Sequence, residues 1–126
     1  MTKLREIYYC PICGNVIEIF NEGASALVCC NQKMQKLEAQ TEDASYEKHV
    51  PYVEAKGEGV LVKVGQNQAH PMTEEHHIKF IEVHTKTMVL KAELNPGDAP
   101  EAVFPVKKED IVKVREWCNI HGLWEA

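Results

Sequence analysis

The sequence predicts a mainly β protein in two parts, a small cysteine-rich metal module followed by a β-sandwich. Four of the five cysteines precede residue 31, whereas five of the six histidines lie at residue 70 or beyond. Short apolar segments of strand length recur along the chain, several of them alternating with polar residues. Turn-forming residues separate these segments, which is typical of a β-sandwich.

The predicted strands differ in pattern. Val16–Phe20 and Val60–Val64 alternate, as half-buried strands do. Ile78–Val83 and Thr87–Leu94 are apolar runs, and a slip in the alternation of the first predicts a β-bulge. Lys107–Trp117 fits both a helix and a strand, and we predict a strand. Glycine, proline and asparagine predict turns at residues 21–23, 57–59, 95–97 and 99–100.

Chain length favours one ordinary domain with an appendage. The chain has 126 residues. Residues 39–126 are enough to bury a core, whereas a module the size of residues 1–38 usually needs a metal or disulfides. The polar stretch Glu38–Ser45 predicts a linker, and we place the boundary near residue 38.

Composition excludes several classes of protein. The net charge of −5 disfavours nucleic acid as the main partner, because phosphate binding needs a concentrated basic face. No apolar run is long enough to span a membrane, and the N-terminus lacks the apolar region of a secretory signal. We therefore expect a cytoplasmic protein. Its odd number of cysteines then favours metal ligands over disulfides.

The first four cysteines form two pairs, which together predict one metal site. Cys10 and Cys13, followed by Gly14, form a knuckle whose two thiolates can chelate one ion. The adjacent pair Cys29 and Cys30 completes a set of four sulfurs, which suits a tetrahedral site for zinc or iron. A structural zinc ribbon is the alternative, although zinc ribbons usually repeat the C-x2-C spacing.

The segments YYCPICGNVIEIF and ALVCCNQKM resemble the desulforedoxin module, the small FeS4 domain that opens desulfoferrodoxins. This resemblance implies that Cys10, Cys13, Cys29 and Cys30 bind one iron ion. Zinc in place of iron remains open.

The rest of the chain resembles the catalytic domain of superoxide reductases, as found in desulfoferrodoxins and neelaredoxins. Taken alone, the C-x2-H spacing of Cys118 and His121 is weak evidence for a metal site. Four segments in order carry the resemblance: EKHVP at 47–51, VGQNQAHPMTEEHHI at 64–78, PGDAPEAVF at 96–104 and EWCNIHGLW at 116–124. The resemblance implies an immunoglobulin-like β-sandwich over residues 39–126.

In this family an iron ion has four equatorial histidines and one axial cysteine. The motifs transfer these roles to His49, His70, His76 and His121, with Cys118 as the axial ligand. The family motif has its third histidine six positions after the second, so the resemblance implies His76 and not His77. His77 stands where the family usually has an aromatic residue and Phe80 where tryptophan is common. We expect His77 to be a strand residue and His84 a surface residue.

The resemblance implies one-electron reduction of superoxide to hydrogen peroxide, without oxygen release, as an antioxidant defence. Lys48 would attract superoxide and hold the water that protonates the product, while Glu47 would bind the open iron position once the iron is ferric. The backbone amides of Ile120 and His121 would tune the Cys118 sulfur.

Two other functions stay open from the residues alone. One is a rubredoxin-type electron-transfer protein, and the other is a zinc-ribbon adaptor that binds a partner through its β-sandwich. The resemblance further implies two iron ions per chain, a rubredoxin as electron donor and a homodimer, with neither nucleic acid nor membrane as a partner. Whether the N-terminal iron passes electrons to the other iron is left open.

Overall fold

The computed structural model describes residues 1–42 and 49–126, which form two compact units. The units are Met1–Glu38 and Ala39–Ala126. In the described residues both consist of β-strands and turns, with a single short 3-10 helix at Lys108–Asp110. The predicted mainly β fold class is confirmed. No helix in these residues is long and apolar enough to cross a membrane.

The first unit is a small three-stranded sheet with a separate hairpin. The sheet has the order β2-β1-β5, and β3 pairs with β4. Its buried apolar side chains include Ile7, Cys10 and Met34. A core this small contributes little stability by itself, so the unit depends on its cysteines. The strands are β1 (Ile7–Tyr9), β2 (Val16–Glu18), β3 (Val28–Cys29), β4 (Gln32–Lys33) and β5 (Gln35–Leu37).

The second unit is a sandwich of a three-stranded and a four-stranded antiparallel sheet. Its strands are β6 (Pro51–Lys56), β7 (Gly59–Val64), β8 (Ile78–His84), β9 (Val89–Glu93), β10 (Glu101–Phe104), β11 (Lys113–Cys118) and β12 (Gly122–Glu125). One sheet has the order β10-β7-β6 and the other β12-β11-β8-β9. Side chains from both sheets fill the core between them, with β7 and β8 as central strands.

Most predicted strands are confirmed, with ends that differ by a few residues. The predicted bulge is also present, because the β8–β11 register shifts from Phe80↔Trp117 to Ile78↔Cys118 and leaves one extra residue on β8. The strand prediction for Lys107–Trp117 is wrong in its first half, where the 3-10 helix lies. The charged residues of that helix are exposed, and pairing with β8 begins only at Lys113.

The predicted linker differs from the structure at Gln40. The Gln40 N–H donates to the Leu123 carbonyl at 2.9 Å, and the Glu125 N–H donates to the Gln40 carbonyl at 2.9 Å. Gln40 therefore extends the four-stranded sheet beside β12. Residues 43–45 of the predicted linker lie outside the described residues.

The prediction that His84 is a surface residue is wrong, because His84 is only 6% exposed. It alternates with the core residues of β8 and so lies on the opposite face of the sheet. There its Nε2 lies 2.8 Å from the carboxylate of Glu82, which is fully buried. Arg115 donates two hydrogen bonds to the same carboxylate, at 3.0 and 2.7 Å, and Lys91 lies 2.9 Å from it. This group of ion pairs compensates the buried charge.

Candidate metal centres

Main-chain hydrogen bonds hold the knuckle of the first unit. The Gly14 N–H donates to the Cys10 carbonyl and the Cys10 N–H to the Asn15 carbonyl, each at 2.9 Å. The other two cysteines lie on the β3–β4 hairpin: Cys29 ends β3, and Cys30 occupies the turn with a φ of 52°. A cysteine in this left-handed conformation is uncommon, and it points the second pair of sulfurs towards the first.

The four sulfurs lie close enough to share one ion. All four lie within 4.8 Å of one another, with 3.4 Å between Cys13 and Cys29 and 4.0 Å between Cys29 and Cys30. Tetrahedral bonds of about 2.3 Å place sulfurs about 3.8 Å apart. The four-cysteine group is therefore able to bind one metal ion.

The cysteine thiols do not ionise alike, and a cation would resolve the difference. The main-chain amide of Cys13, aided by that of Ile12, lowers the pKa of Cys10 to about 7. Hydrogen bonds among the sulfurs, first with Cys13 and then with Cys10, raise the pKa of Cys30 to about 12 and also raise that of Cys29. A bound ion stabilises all four thiolates at once, so the donor set fits a metal.

The second group of donors lies at one end of the sandwich, where five loop and strand ends meet. His49 precedes β6, while His70 and His76 lie between β7 and β8. Cys118 ends β11 and His121 lies in the turn before β12. Antiparallel pairing brings the start of β6 beside the end of β7 in one sheet, and the start of β8 beside the end of β11 in the other.

The four imidazoles form a near-square. Neighbouring ring centroids are 5.0 Å apart for His49–His70, 4.7 Å for His70–His76, 4.9 Å for His76–His121 and 4.6 Å for His49–His121. The His49–His76 diagonal is 6.5 Å, about 1.4 times a side, as in a square. One donor atom of each ring and the Cys118 sulfur all lie within 4.8 Å of one another.

His70 shows that this end of the sandwich is prepared for a metal. Its Nδ1 lies 2.7 Å from the Pro71 carbonyl, which accepts the Nδ1 proton. Its Nε2 is buried and has no hydrogen-bond partner among the described residues. Burial lowers the pKa of His70 to about 4, so the imidazole stays neutral at pH 7. A buried, unprotonated nitrogen facing three other imidazoles fits a metal ligand.

The separation of two donor atoms fits one ion equally well. His49 Nε2 and His121 Nδ1 lie 2.9 Å apart. Neighbouring ligands at right angles, with bonds of about 2.1 Å, lie about 3.0 Å apart. The group of four histidines and one cysteine is therefore able to bind a second metal ion.

Cys118 is fully buried and receives backbone hydrogen bonds. Burial raises the pKa of its thiol, and the amides of His121 and then Ile120 act in the opposite direction. The His121 N–H lies 3.5 Å from the sulfur. The amides named from the sequence as candidates for tuning this sulfur are thus directed at it.

Each described residue predicted as a ligand belongs to one of the two groups, and His76 rather than His77 joins the square. The Nδ1 of His77 instead lies 3.0 Å from the Thr73 carbonyl, and His77 precedes β8 rather than lying in it. Glu47 and Lys48 lie outside the described residues, so their roles stay predictions.

Sequence reasoning gave no role to two residues that support His121. Trp124 stacks on His49 at 4.8 Å with an interplanar angle of 16°, and its indole N–H donates to the His121 carbonyl at 3.2 Å. The Gln40 amide donates to the same carbonyl at 2.9 Å. Trp124 lies three residues after His121, a spacing that could have indicated it, whereas no local signal indicates Gln40.

Comparisons with known proteins agree with this geometry. The family model described as desulfoferrodoxin matches residues 41–126, and the one described as desulfoferrodoxin, N-terminal domain, matches residues 2–37. The chain is 53% identical to a desulfoferrodoxin homolog of Methanothermobacter thermautotrophicus over 124 residues, which cover 98% of this chain and 99% of that one.

The solved structures that share the fold include two superoxide reductases. The superoxide reductase from Treponema pallidum is 29% identical, with a TM-score of 0.78 over 96% of each chain. The reduced superoxide reductase (neelaredoxin) from Archaeoglobus fulgidus is 34% identical, with a TM-score of 0.55 over 70% of this chain and 94% of that one. The two family models together span nearly all of the sequence. The chain belongs to the desulfoferrodoxin family.

Proposed function

We propose that this protein is a superoxide reductase. The reaction adds one electron and two protons to superoxide and yields hydrogen peroxide, with no release of oxygen. The observation that carries this proposal is the near-square of four imidazoles beside a buried cysteine, in a chain of the desulfoferrodoxin family. The superoxide reductases from Treponema pallidum and Archaeoglobus fulgidus have the same fold.

Each unit then has its own iron ion. Residues 1–38 form the FeS4 domain and residues 39–126 the catalytic domain. The support is that each donor set lies within 4.8 Å and fits one ion. The ligands of the FeS4 domain are Cys10, Cys13, Cys29 and Cys30. In the catalytic domain the iron would be held by the imidazoles of His49, His70, His76 and His121 and by the thiolate of Cys118.

The protein residues prepare the catalytic centre for its reaction. When bound, the iron supplies the electron and a position where the anion can bind. The hydrogen bond from His70 to the Pro71 carbonyl fixes the tautomer, so that Nε2 offers its lone pair. The thiolate of Cys118 contributes electron density, and the amides of His121 and Ile120 moderate it. The choice of four neutral imidazoles favours the ferrous state.

Lys48 and Glu47 complete the proposed site. The net charge of −5 repels superoxide at long range, so attraction has to come from nearby. Lys48 is covalently adjacent to His49, and a lysine close to such a centre raises association rates by roughly 10 to 1000-fold. Its ammonium also holds the water that protonates the product. Glu47 would offer a hard carboxylate, the kind of donor that suits ferric iron, and in this way would favour release of the product.

The physiological setting follows from the family resemblance. We propose a rubredoxin as the electron donor, a homodimer as the assembly and the cytoplasm as the location, with detoxification of superoxide as the role. Rapid reduction of the ferric protein by a purified rubredoxin, and a sedimentation mass of two chains, are the expected measurements. A sedimentation mass of one chain would refute the homodimer. A rubredoxin that does not reduce the ferric protein would refute the proposed electron donor.

The function is tested by metal analysis and by product stoichiometry. We expect two iron ions per chain and one hydrogen peroxide per superoxide consumed, with no oxygen formed. A dismutase would instead produce one oxygen and one peroxide from two superoxide ions. An electron-transfer protein would hold iron but consume superoxide slowly, and a zinc adaptor would hold no iron.

The domain assignment has its own test. A fragment that begins at residue 39 keeps every proposed catalytic residue and lacks the FeS4 domain. We expect the fragment to bind one iron ion and to reduce superoxide when an artificial reductant supplies electrons. A folded, iron-loaded fragment without activity would show that the two centres work only together.

A further inference from the structure

Asn119 connects the two loops that carry three of the proposed iron ligands. It lies between Cys118 and His121 in sequence. Its side-chain Nδ2 donates to the Glu75 carbonyl at 3.0 Å, and its Oδ1 accepts the His77 N–H at 2.9 Å. Its own N–H donates to the His77 carbonyl at 3.2 Å. All three hydrogen bonds reach the two residues on either side of His76.

These bonds replace pairing that the sheet has lost. Regular β8–β11 pairing ends at the bulge, where Cys118 is opposite Ile78. Beyond that point the side-chain amide of Asn119 offers one donor and one acceptor, as a peptide group would. It therefore continues the ladder by one step, to the backbone on both sides of His76.

The turn that carries His76 is closed on its other side by Thr73. The His76 N–H lies 3.1 Å from Thr73 Oγ1, and the Thr73 N–H donates to the His76 carbonyl at 2.9 Å. These two hydrogen bonds of Thr73 lie within the turn and do not reach the Cys118–His121 loop. The link across to Cys118 and His121 is made by Asn119.

We propose that Asn119 is a positioning residue that sets the separation between His76 and the Cys118–His121 loop before metal enters. This inference rests on the iron centre of the proposed function. The His76 and His121 rings are 4.9 Å apart, and the Cys118 sulfur is 4.0 Å from His121 Nδ1. Because the side chain of Asn119 joins the two loops, its loss loosens one side of the imidazole square and changes the metal–sulfur distance.

The test uses the full-length protein and Co²⁺, whose absorption distinguishes a nitrogen-rich centre from a four-sulfur centre. Asn119→Ala removes both side-chain hydrogen bonds. Asn119→Asp keeps the acceptor for the His77 N–H and removes the donor to Glu75. Asn95→Ala is the matched control, because Asn95 is an exposed turn residue of the same unit. The four-cysteine centre serves as an internal control in each variant.

We expect Asn119→Ala to weaken Co²⁺ binding at the histidine–cysteine centre by about 10 to 100-fold, as loss of groups that orient metal ligands does elsewhere. Asn119→Asp should weaken it in the same direction. In both cobalt-loaded Asn119 variants the thiolate-to-metal absorption band of the histidine–cysteine centre should shift, and the backbone amide of His77 should exchange faster with solvent. Asn95→Ala and the four-cysteine centre should stay unchanged.

The decisive readout is the band, since a purely structural role would lower affinity and leave the loaded centre the same. A folded Asn119→Ala protein with an unshifted band overturns the inference, as does an affinity within twofold of the wild type. If Asn119→Ala fails to fold, Asn119→Asp decides by the same two measurements. None of these depends on superoxide, so a wild type that binds cobalt but does not reduce superoxide would refute only the proposed function.

Discussion

Gly65 lies at the point where β7 ends and the loop to His70 begins, and alanine at this position would strain that loop. The φ of Gly65 is +89°, a conformation that residues with a side chain rarely adopt. A Cβ here would lie 2.0 Å from the Gln68 carbonyl oxygen and 3.2 Å from the His70 nitrogen. Both are backbone atoms, which cannot move aside as the end of a flexible side chain could. The His70 N–H also donates a hydrogen bond to the Val64 carbonyl at 3.2 Å. The loop would have to move by about 1 Å or more to restore ordinary contact distances.

Gly65→Ala should lower the free energy of unfolding for two reasons. The left-handed backbone costs alanine about 1–2 kcal/mol. Relief of the steric overlap costs about 1–3 kcal/mol more. Gly97→Ala is the matched control, because Gly97 has a φ of +93° and, its chain neighbours aside, no atom within 4 Å of the place that a Cβ would occupy. Gly97→Ala should therefore lose only the free energy that the left-handed backbone costs.

Thermal unfolding of the two variants measures the difference directly. For a domain of this size each kcal/mol lowers Tm by roughly 4–8 °C, so the additional steric cost should make Gly65→Ala melt roughly 4–24 °C below Gly97→Ala. Chelator competition should also show weaker metal binding at the histidine–cysteine centre in Gly65→Ala alone, since His70 moves with the loop. Equal melting temperatures, or full metal affinity in Gly65→Ala, would refute the reasoning.

Three further predictions concern charge and ligation. Lys48→Ala should slow the reaction with superoxide at low ionic strength, and the loss in rate should shrink as salt shortens the Debye length to about 10 Å at 0.1 M. Lys86→Ala is the control, because Lys86 is an exposed lysine in the β8–β9 turn. Stopped-flow rates of Lys48→Ala that match the wild type at low salt would contradict the prediction. Cys118→Ser should keep iron on the four imidazoles but lose more than about 100-fold in superoxide consumption, because serine stays protonated near neutral pH; near-normal turnover with full iron content would show that Cys118 is not the axial ligand. The Lys3 amide and then the Lys36 ammonium lower the pKa of Glu6 from 4.5 to about 2, so its contribution to the stability of the first unit is present above pH 4.5 and is lost as the pH falls towards 2. Glu6→Gln should remove that part of the pH dependence, and an NMR titration of the folded protein in which Glu6 titrates near pH 4.5 would disprove it.

Local patterns in the sequence predicted much of the fold. The alternation of Val60–Val64 and the apolar run at Ile78–Val83 predicted the central strands β7 and β8, because strand periodicity is a property of neighbouring residues. The segment Lys107–Trp117 could not be assigned in this way. Its strand begins where β8 offers a partner, and partner choice depends on residues about 30 positions away in the chain.

The burial of polar residues was equally invisible in the sequence. Glu82 and His84 alternate with core residues in β8, a pattern that normally indicates an exposed face. The structure instead buries both beside Arg115, which approaches from β11. Only the pairing of two distant strands places a positive charge there to compensate the carboxylate.

The sequence by itself determined which atoms are available to bind metal. The spacing of Cys10 and Cys13, like that of Cys118 and His121, places two donors within one turn, and this is a local property of the chain. The tertiary structure decided how the donors combine. It closes the imidazole square by bringing His49 to within 2.9 Å of His121, 72 residues later. It also supplies the physical reason for the choice of His76 over His77 that the family motif implied, because the turn closed by Thr73 and Asn119 places His76 beside the other three rings.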